Sequence, residues 1–88
     1  MSIKLNLPPV FSCFTNNQQV SEVNGNTVGE CLDHLVKQYP DLKRVIYTEF
    51  GKVVSFIDVY INGKDAYPDG LSKPVKDGDE LSIILSPG

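Results

Sequence analysis

At 88 residues the chain bounds one domain, residues 1–88, near the lower end of what folds without staples. Its 41% apolar content fills one core but not a core plus a walled catalytic cavity, which favours a binder, carrier or subunit over a free-standing enzyme. A net charge of −3 argues against nucleic acid, whose binding needs a basic face, and no apolar run approaches the roughly 20 residues of a membrane span. Neither nucleic acid nor membrane is therefore an expected partner.

Ile3, Leu5 and Leu7 alternate with Lys4 and Asn6, the period of a half-buried strand. Pro8-Pro9 ends it, and Val10 to Gln19 reads as a loop. Gln19 to Val23 is a short return strand closed by Asn24-Gly25, so the first two strands form a hairpin. Thr27-Val28-Gly29-Glu30 matches a capping box, with Glu30 three residues after the Thr27 N-cap. Val28, Leu32, Leu35, Val36 and Tyr39 follow at helical spacing until Pro40 stops the helix. Gly29, weak in a helix, is expected to let it approach the sheet closely.

Asp41 to Lys52 is expected to be irregular, with Leu42, Val45, Ile46 and Phe50 capping the core. Val53 to Ile61 is the strongest strand, with Ile57, Val59 and Ile61 on one face and Phe56, Asp58 and Tyr60 on the other. Asn62-Gly63 is a hairpin-turn dipeptide leading to a short strand at Lys64 to Ala66. After the Asp77-Gly78-Asp79 turn, Leu81, Ile83 and Leu85 alternate with Ser82 and Ile84 in a final strand, with Leu81 and Ile83 expected in the core.

Cys13 and Cys31 lack CxxC spacing, so neither a redox motif nor a zinc knuckle is indicated. With no signal-like segment, reduced thiols in the cytoplasm are expected. His34 lies off the apolar stripe beside Lys37 and Gln38, and reads as a solvated surface residue. The carboxylates Asp65, Asp69, Asp77, Asp79 and Glu80 fit turn chemistry better than a metal site. No metal and no cofactor is expected.

The order is strand, strand, helix, strand, short strand, strand. It describes an α+β fold, a mixed sheet with one main helix across one face and the first and last strands adjacent and parallel. The string Val59-Tyr60-Ile61-Asn62-Gly63-Lys64-Asp65, the Gly70-Leu71 step and the Asp77-Gly78-Asp79-Glu80-Leu81 turn, in that order, resemble the MoaD/ThiS sulfur carriers. These are small ubiquitin-like β-grasp proteins, and the resemblance covers nearly the whole chain. The fold alone assigns no function.

The resemblance implies that Gly88 is the reactive residue, adenylated by an E1-like ATP-dependent adenylyltransferase and converted to a thiocarboxylate. That group would deliver sulfur to a sulfur-accepting synthase or a larger synthase subunit, in molybdopterin, thiamin or cysteine biosynthesis. The length of the Pro40–Val53 connection is closer to the molybdopterin-synthase small subunit and the cysteine-synthesis carriers than to the thiamin type. Because family members dock their activating enzymes on this side of the sheet, Phe56 and Tyr60, joined by Ile84, become partner-binding candidates. Ser86 and Pro87 join them in a short flexible tail, 86–88. The family ends in Gly-Gly, whereas this chain ends in Pro87-Gly88 with a tail about two residues shorter. A precursor form, a carrier with a tolerant partner and a relative without carrier chemistry all fit that difference. The alternative readings are a β-grasp interaction module or regulatory subunit with an inert tail, and a ubiquitin-like modifier attached to lysines.

Overall fold

A computed structural model describes residues 2–54, 57–66 and 70–85. The strands are β1 (Ile3–Asn6), β2 (Val20–Val23), β3 (Ile57–Ile61), β4 (Lys64–Asp65) and β5 (Glu80–Leu85). Helix α1 spans Val28–Gln38, and a single turn, α2, spans Lys43–Ile46. The sheet order is β2-β1-β5-β3-β4. Here β1 and β5 are parallel and the other pairings antiparallel. This is the β-grasp arrangement, with the last strand at the centre of the sheet.

The alternation in each strand decides which side is buried. Ile3, Leu5, Val23, Ile57, Val59, Leu81 and Ile83 face α1, which contributes Val28, Cys31, Leu32 and Leu35. Ile61 is only partly buried, because it is the last residue of β3 before the exposed Asn62 turn. The α1 cap follows the sequence with one shift. Thr27 Oγ1 accepts the Glu30 N–H at 3.2 Å, but Glu30 Oε1 takes the Asn26 N–H at 3.0 Å instead of that of Thr27. Gly29 makes room not for the sheet but for Leu71, whose carbonyl oxygen would lie 3.1 Å from a Cβ at position 29.

Three segments differ from their sequence reading. Pro9–Phe14 is a 3-10 helix that buries Phe11, not a loop, and the turn after it carries Asn16 and Asn17 at positive φ. Buried Thr15 closes this segment, its hydroxyl donating to the Gln18 carbonyl at 2.8 Å. Val53 does not begin β3; it pairs with Tyr47 in an isolated antiparallel bridge. That bridge closes a tight turn which lifts Phe50 away from the core, so it is 83% exposed while Leu42 and Ile46 are buried as expected. Lys64–Asp65 form β4 without Ala66, which is buried and donates its N–H back to the Val59 carbonyl at 2.9 Å.

His34 is not simply solvated. Its Nδ1 accepts the Asn24 N–H at 2.8 Å, and Gln38 donates to the Glu22 carbonyl while accepting from the Ser21 hydroxyl, so α1 is tied to β2 by side chains. Cys13 and Cys31 are free thiols, exposed and buried respectively. No helix among the described residues is long and apolar enough to cross a membrane.

Candidate functional site: the outer sheet face and the end of the last strand

The residues that carry the sequence resemblance build a clamp at the end of the sheet where β5 begins. Asn62 and Gly63 both have positive φ, 51° and 84°, as a type I′ turn demands. The Asn62 side chain donates to Asp79 Oδ1 at 3.1 Å and accepts the Glu80 N–H at 2.9 Å. Asp79 Oδ2 accepts the Lys76 N–H at 2.9 Å, so one carboxylate joins both turns. The Lys76 N–H and the Asn62 amide hold its carboxyl below the usual carboxylate range. Asp77 receives the Ser2 N–H at 2.7 Å, fastening the start of the chain to the same corner. The motif residues are thus occupied in holding turns together.

The outer face of the sheet follows from the register. One row runs across all five strands as Val20, Asn6, Ser82, Tyr60 and Asp65. Asn6 stitches its centre, donating to Glu80 at 2.7 Å and to the Ser82 hydroxyl at 3.2 Å. Tyr60 is half-buried and Ile84 is 45% exposed on this face. They are diagonal neighbours, since Ile84 stands opposite Asp58 and Tyr60 opposite Ser82. Phe56, Ser86, Pro87 and Gly88 lie outside the described residues.

Parallel pairing of β1 with β5 has a consequence for the far end. The residues that follow β1 must lie beside the end of β5, where the chain runs on toward Gly88. A groove of about 410 Å³ opens there, between Leu7–Val10 and Ser82–Leu85. Val10 is 57% exposed, Ile84 45% and Leu85 37%, and Val20 opens the adjacent corner at 46%. Sequence reasoning missed Val10 because it sat in a segment read as loop. The available signal was an apolar residue directly after Pro8-Pro9, in a chain whose first and last strands were expected to be parallel neighbours.

This face can bind and position; its chemistry is contact. Among the described residues, no group of three or more His, Cys, Asp or Glu could hold a metal ion. Among the described residues two further ionisable groups are shifted, both away from this face. Burial, then the nearby Glu30 carboxylate, pushes the Cys31 thiol up. Burial, then Asp33, which accepts its hydroxyl at 3.1 Å, raises Tyr47 above its ordinary range.

With this geometry established, the relatives are informative. The model of the ThiS family matches residues 10–86. The chain belongs to the ThiS family. An Archaeoglobus fulgidus protein named "Putative sulfur carrier protein" is 27% identical over 85 residues, covering 96% of this chain and 93% of that protein. A chain of the Amycolatopsis orientalis BexX/CysO complex superposes with a TM-score of 0.88 at 30% identity, over 98% of this chain and 97% of its own length. SAMP1 from Haloferax volcanii superposes with a TM-score of 0.86 at 26% identity, over 97% and 94% of the two chains. The fold is that of the ubiquitin-like β-grasp proteins, and the family is one of small sulfur carriers.

Proposed function

We propose that this protein carries sulfur as a thiocarboxylate at Gly88. The observation that supports this most is the family match over residues 10–86, on a central strand whose last described residues line an apolar groove. The steps follow from carboxylate chemistry. One carboxylate oxygen of Gly88 attacks the α-phosphate of ATP, pyrophosphate leaves, and an acyl-adenylate forms. A sulfur nucleophile supplied by the partner then adds to the carbonyl and AMP departs, leaving sulfur where oxygen was. The E1-like adenylyltransferase supplies the catalysis; the carrier supplies position and a reactive end. Glycine suits that end because no Cβ blocks attack at the carbonyl. A residue before proline is biased toward extended backbone, the conformation that threading into a narrow site requires, so a penultimate proline is compatible with this role.

In this reading Tyr60, Ile84 and the Val10–Leu85 groove contact the partner, and Ser86 and Pro87 enter it. The recipient is a synthase or larger synthase subunit in cofactor or cysteine biosynthesis. Incubation with ATP, a sulfide source and the cognate adenylating enzyme should raise the intact mass by the difference between sulfur and oxygen. An unchanged mass, with the enzyme active on another carrier, would remove the proposal.

Two other readings have specific support. Likeness to SAMP1 of Haloferax volcanii, a small archaeal modifier protein, favours attachment to lysines. Discrete higher-mass adducts that vanish on deleting Gly88 would establish it. Pro87, in place of glycine, favours an interaction module with an inert tail. Such a module keeps its partner affinity and cellular role without Pro87 and Gly88, whereas a carrier loses function.

A further inference from the structure

The Pro40–Val53 connection places an unusual surface on the outer side of α1. Tyr47 and Val53 pair, the Thr48 N–H meets the Lys52 carbonyl at 2.6 Å, and the Gly51 N–H meets the Thr48 carbonyl at 3.0 Å. The Thr48 hydroxyl oxygen also accepts the N–H groups of Phe50 and Lys52, each at 3.3 Å. Gly51, at φ 79°, allows the reversal. The base of the turn is tied to α1 by the bond from Tyr47 to Asp33. A turn closed this completely displays its tip at little further ordering cost, and the tip is Phe50, 83% exposed.

Beside the turn lies an open cleft of about 850 Å³, where Lys37, Lys43 and Arg44 outnumber the carboxylates Asp33 and Glu49 around Val36 and Tyr47, and Asp33 is already taken by the Tyr47 hydroxyl. Residues 37–52 carry Lys37, Lys43, Arg44 and Lys52 against Asp41 and Glu49, two net positive charges in a chain whose total is −3. Half of the chain's eight cations therefore sit in this one segment, and the rest of the molecule is correspondingly acidic. Neither Lys37 nor Lys43 forms an ion pair with a described residue, and the Arg44–Asp41 pair is exposed and weak at 3.4 Å.

We propose that the cleft and the 47–53 turn form a docking surface for an acidic segment of a partner protein, with Phe50 as its apolar anchor. Charge chooses the occupant. An exposed aromatic on a closed turn beside a cleft with a cationic excess is matched by an acidic chain bearing apolar side chains, and it attracts such a chain in a molecule that is otherwise acidic. A second copy fits less well. It would bring like charges together, and one turn in one cleft buries far less than the roughly 1,000 Å² of a stable interface. The surface lies on the helix side, apart from the sheet face and groove described above, so a partner here leaves those accessible.

The test is an NMR titration of the full chain with a short peptide alternating glutamate and leucine, against its lysine–leucine counterpart. Saturable shifts should map to Val36, Lys37, Tyr47 and the turn. Phe50→Ala should weaken binding by roughly tenfold or more, as truncated anchors do. Lys43→Glu with Arg44→Glu should abolish it, and added salt should weaken the wild-type interaction. All three residues are exposed, so these variants are expected to fold, as the undisturbed amide spectrum of the core would verify. Shifts confined to Tyr60 and Ile84, equal binding of the lysine peptide, no saturation, or concentration-dependent shifts without peptide would each overturn the proposal. None of these readouts involves sulfur transfer, so failure of the carrier reading leaves this result interpretable.

Discussion

The two ends of the sheet are built from different materials. At the end where β5 begins, polar side chains close on one another: Asn62 with Asp79 and Glu80, Asp79 with Lys76, Asp77 with Ser2. At the end where β5 finishes, Val10, Ile84 and Leu85 stand partly exposed around a groove. A further exposed leucine, Leu71, belongs to neither end and packs against Gly29 at the start of α1. A satisfied hydrogen-bond clamp holds a fold; an apolar rim left in water awaits a surface. The residues that make the family recognisable are therefore those that hold the molecule together.

That division can be broken most severely from beneath both ends. Leu35 is fully buried between α1 and the sheet, and Leu35→Ala should cost roughly 2–5 kcal/mol by denaturant unfolding. Against a total of about 5–10 kcal/mol for a small domain, that removes a large fraction of the stability. Next comes the clamp. Asp79→Ala leaves the Lys76 N–H and the Asn62 amide without their acceptor, and should cost about 1–3 kcal/mol. The Asp79 carboxyl titrates lower in the folded chain than its ordinary value of about 4, so the unfolded chain binds the proton first. Its contribution is complete above about pH 4 and is lost as pH falls through the folded value. Asp79→Asn should flatten that acid limb in a series of unfolding curves.

The outer face should behave oppositely. Tyr60→Ala is expected to leave the domain folded and to weaken docking to the adenylating enzyme by about 1 kcal/mol or more in calorimetry. Unchanged affinity would reduce Tyr60 to sheet packing. The smallest effect concerns the thiols, which probe local opening without a mutation. Cys13 should react with a thiol reagent at once in the native chain, and Cys31, fully buried with its thiol pushed up, only on unfolding.

Much of this architecture is legible in the sequence because periodicity and turn chemistry are local. The α1 stripe, its Thr27 cap and the Asn62-Gly63 turn needed only neighbours along the chain. What escaped depends on pairings that neither periodicity nor a turn dipeptide reveals. Phe50 looks like core by composition, and only the Tyr47–Val53 bridge shows that it points outward. His34 looks solvated until β2 brings the Asn24 N–H to its ring. Val10 becomes part of a candidate site only once β1 and β5 are parallel. The clamp residues were recognised as a pattern, but their structural task appears only when Asp79 is seen to hold two turns.

The most direct test compares the ends in one assay, ATP–pyrophosphate exchange by the cognate adenylating enzyme with the carrier as substrate. A variant carrying Val10→Ser and Ile84→Ser should raise the KM for the carrier severalfold with an unfolding curve within about 0.5 kcal/mol of wild type, as exposed substitutions allow. Asp79→Asn should lower stability yet leave KM unchanged wherever the chain is folded. If instead the clamp variant raises KM while folded and the groove variant exchanges normally, the assignment of structure to one end and docking to the other is wrong.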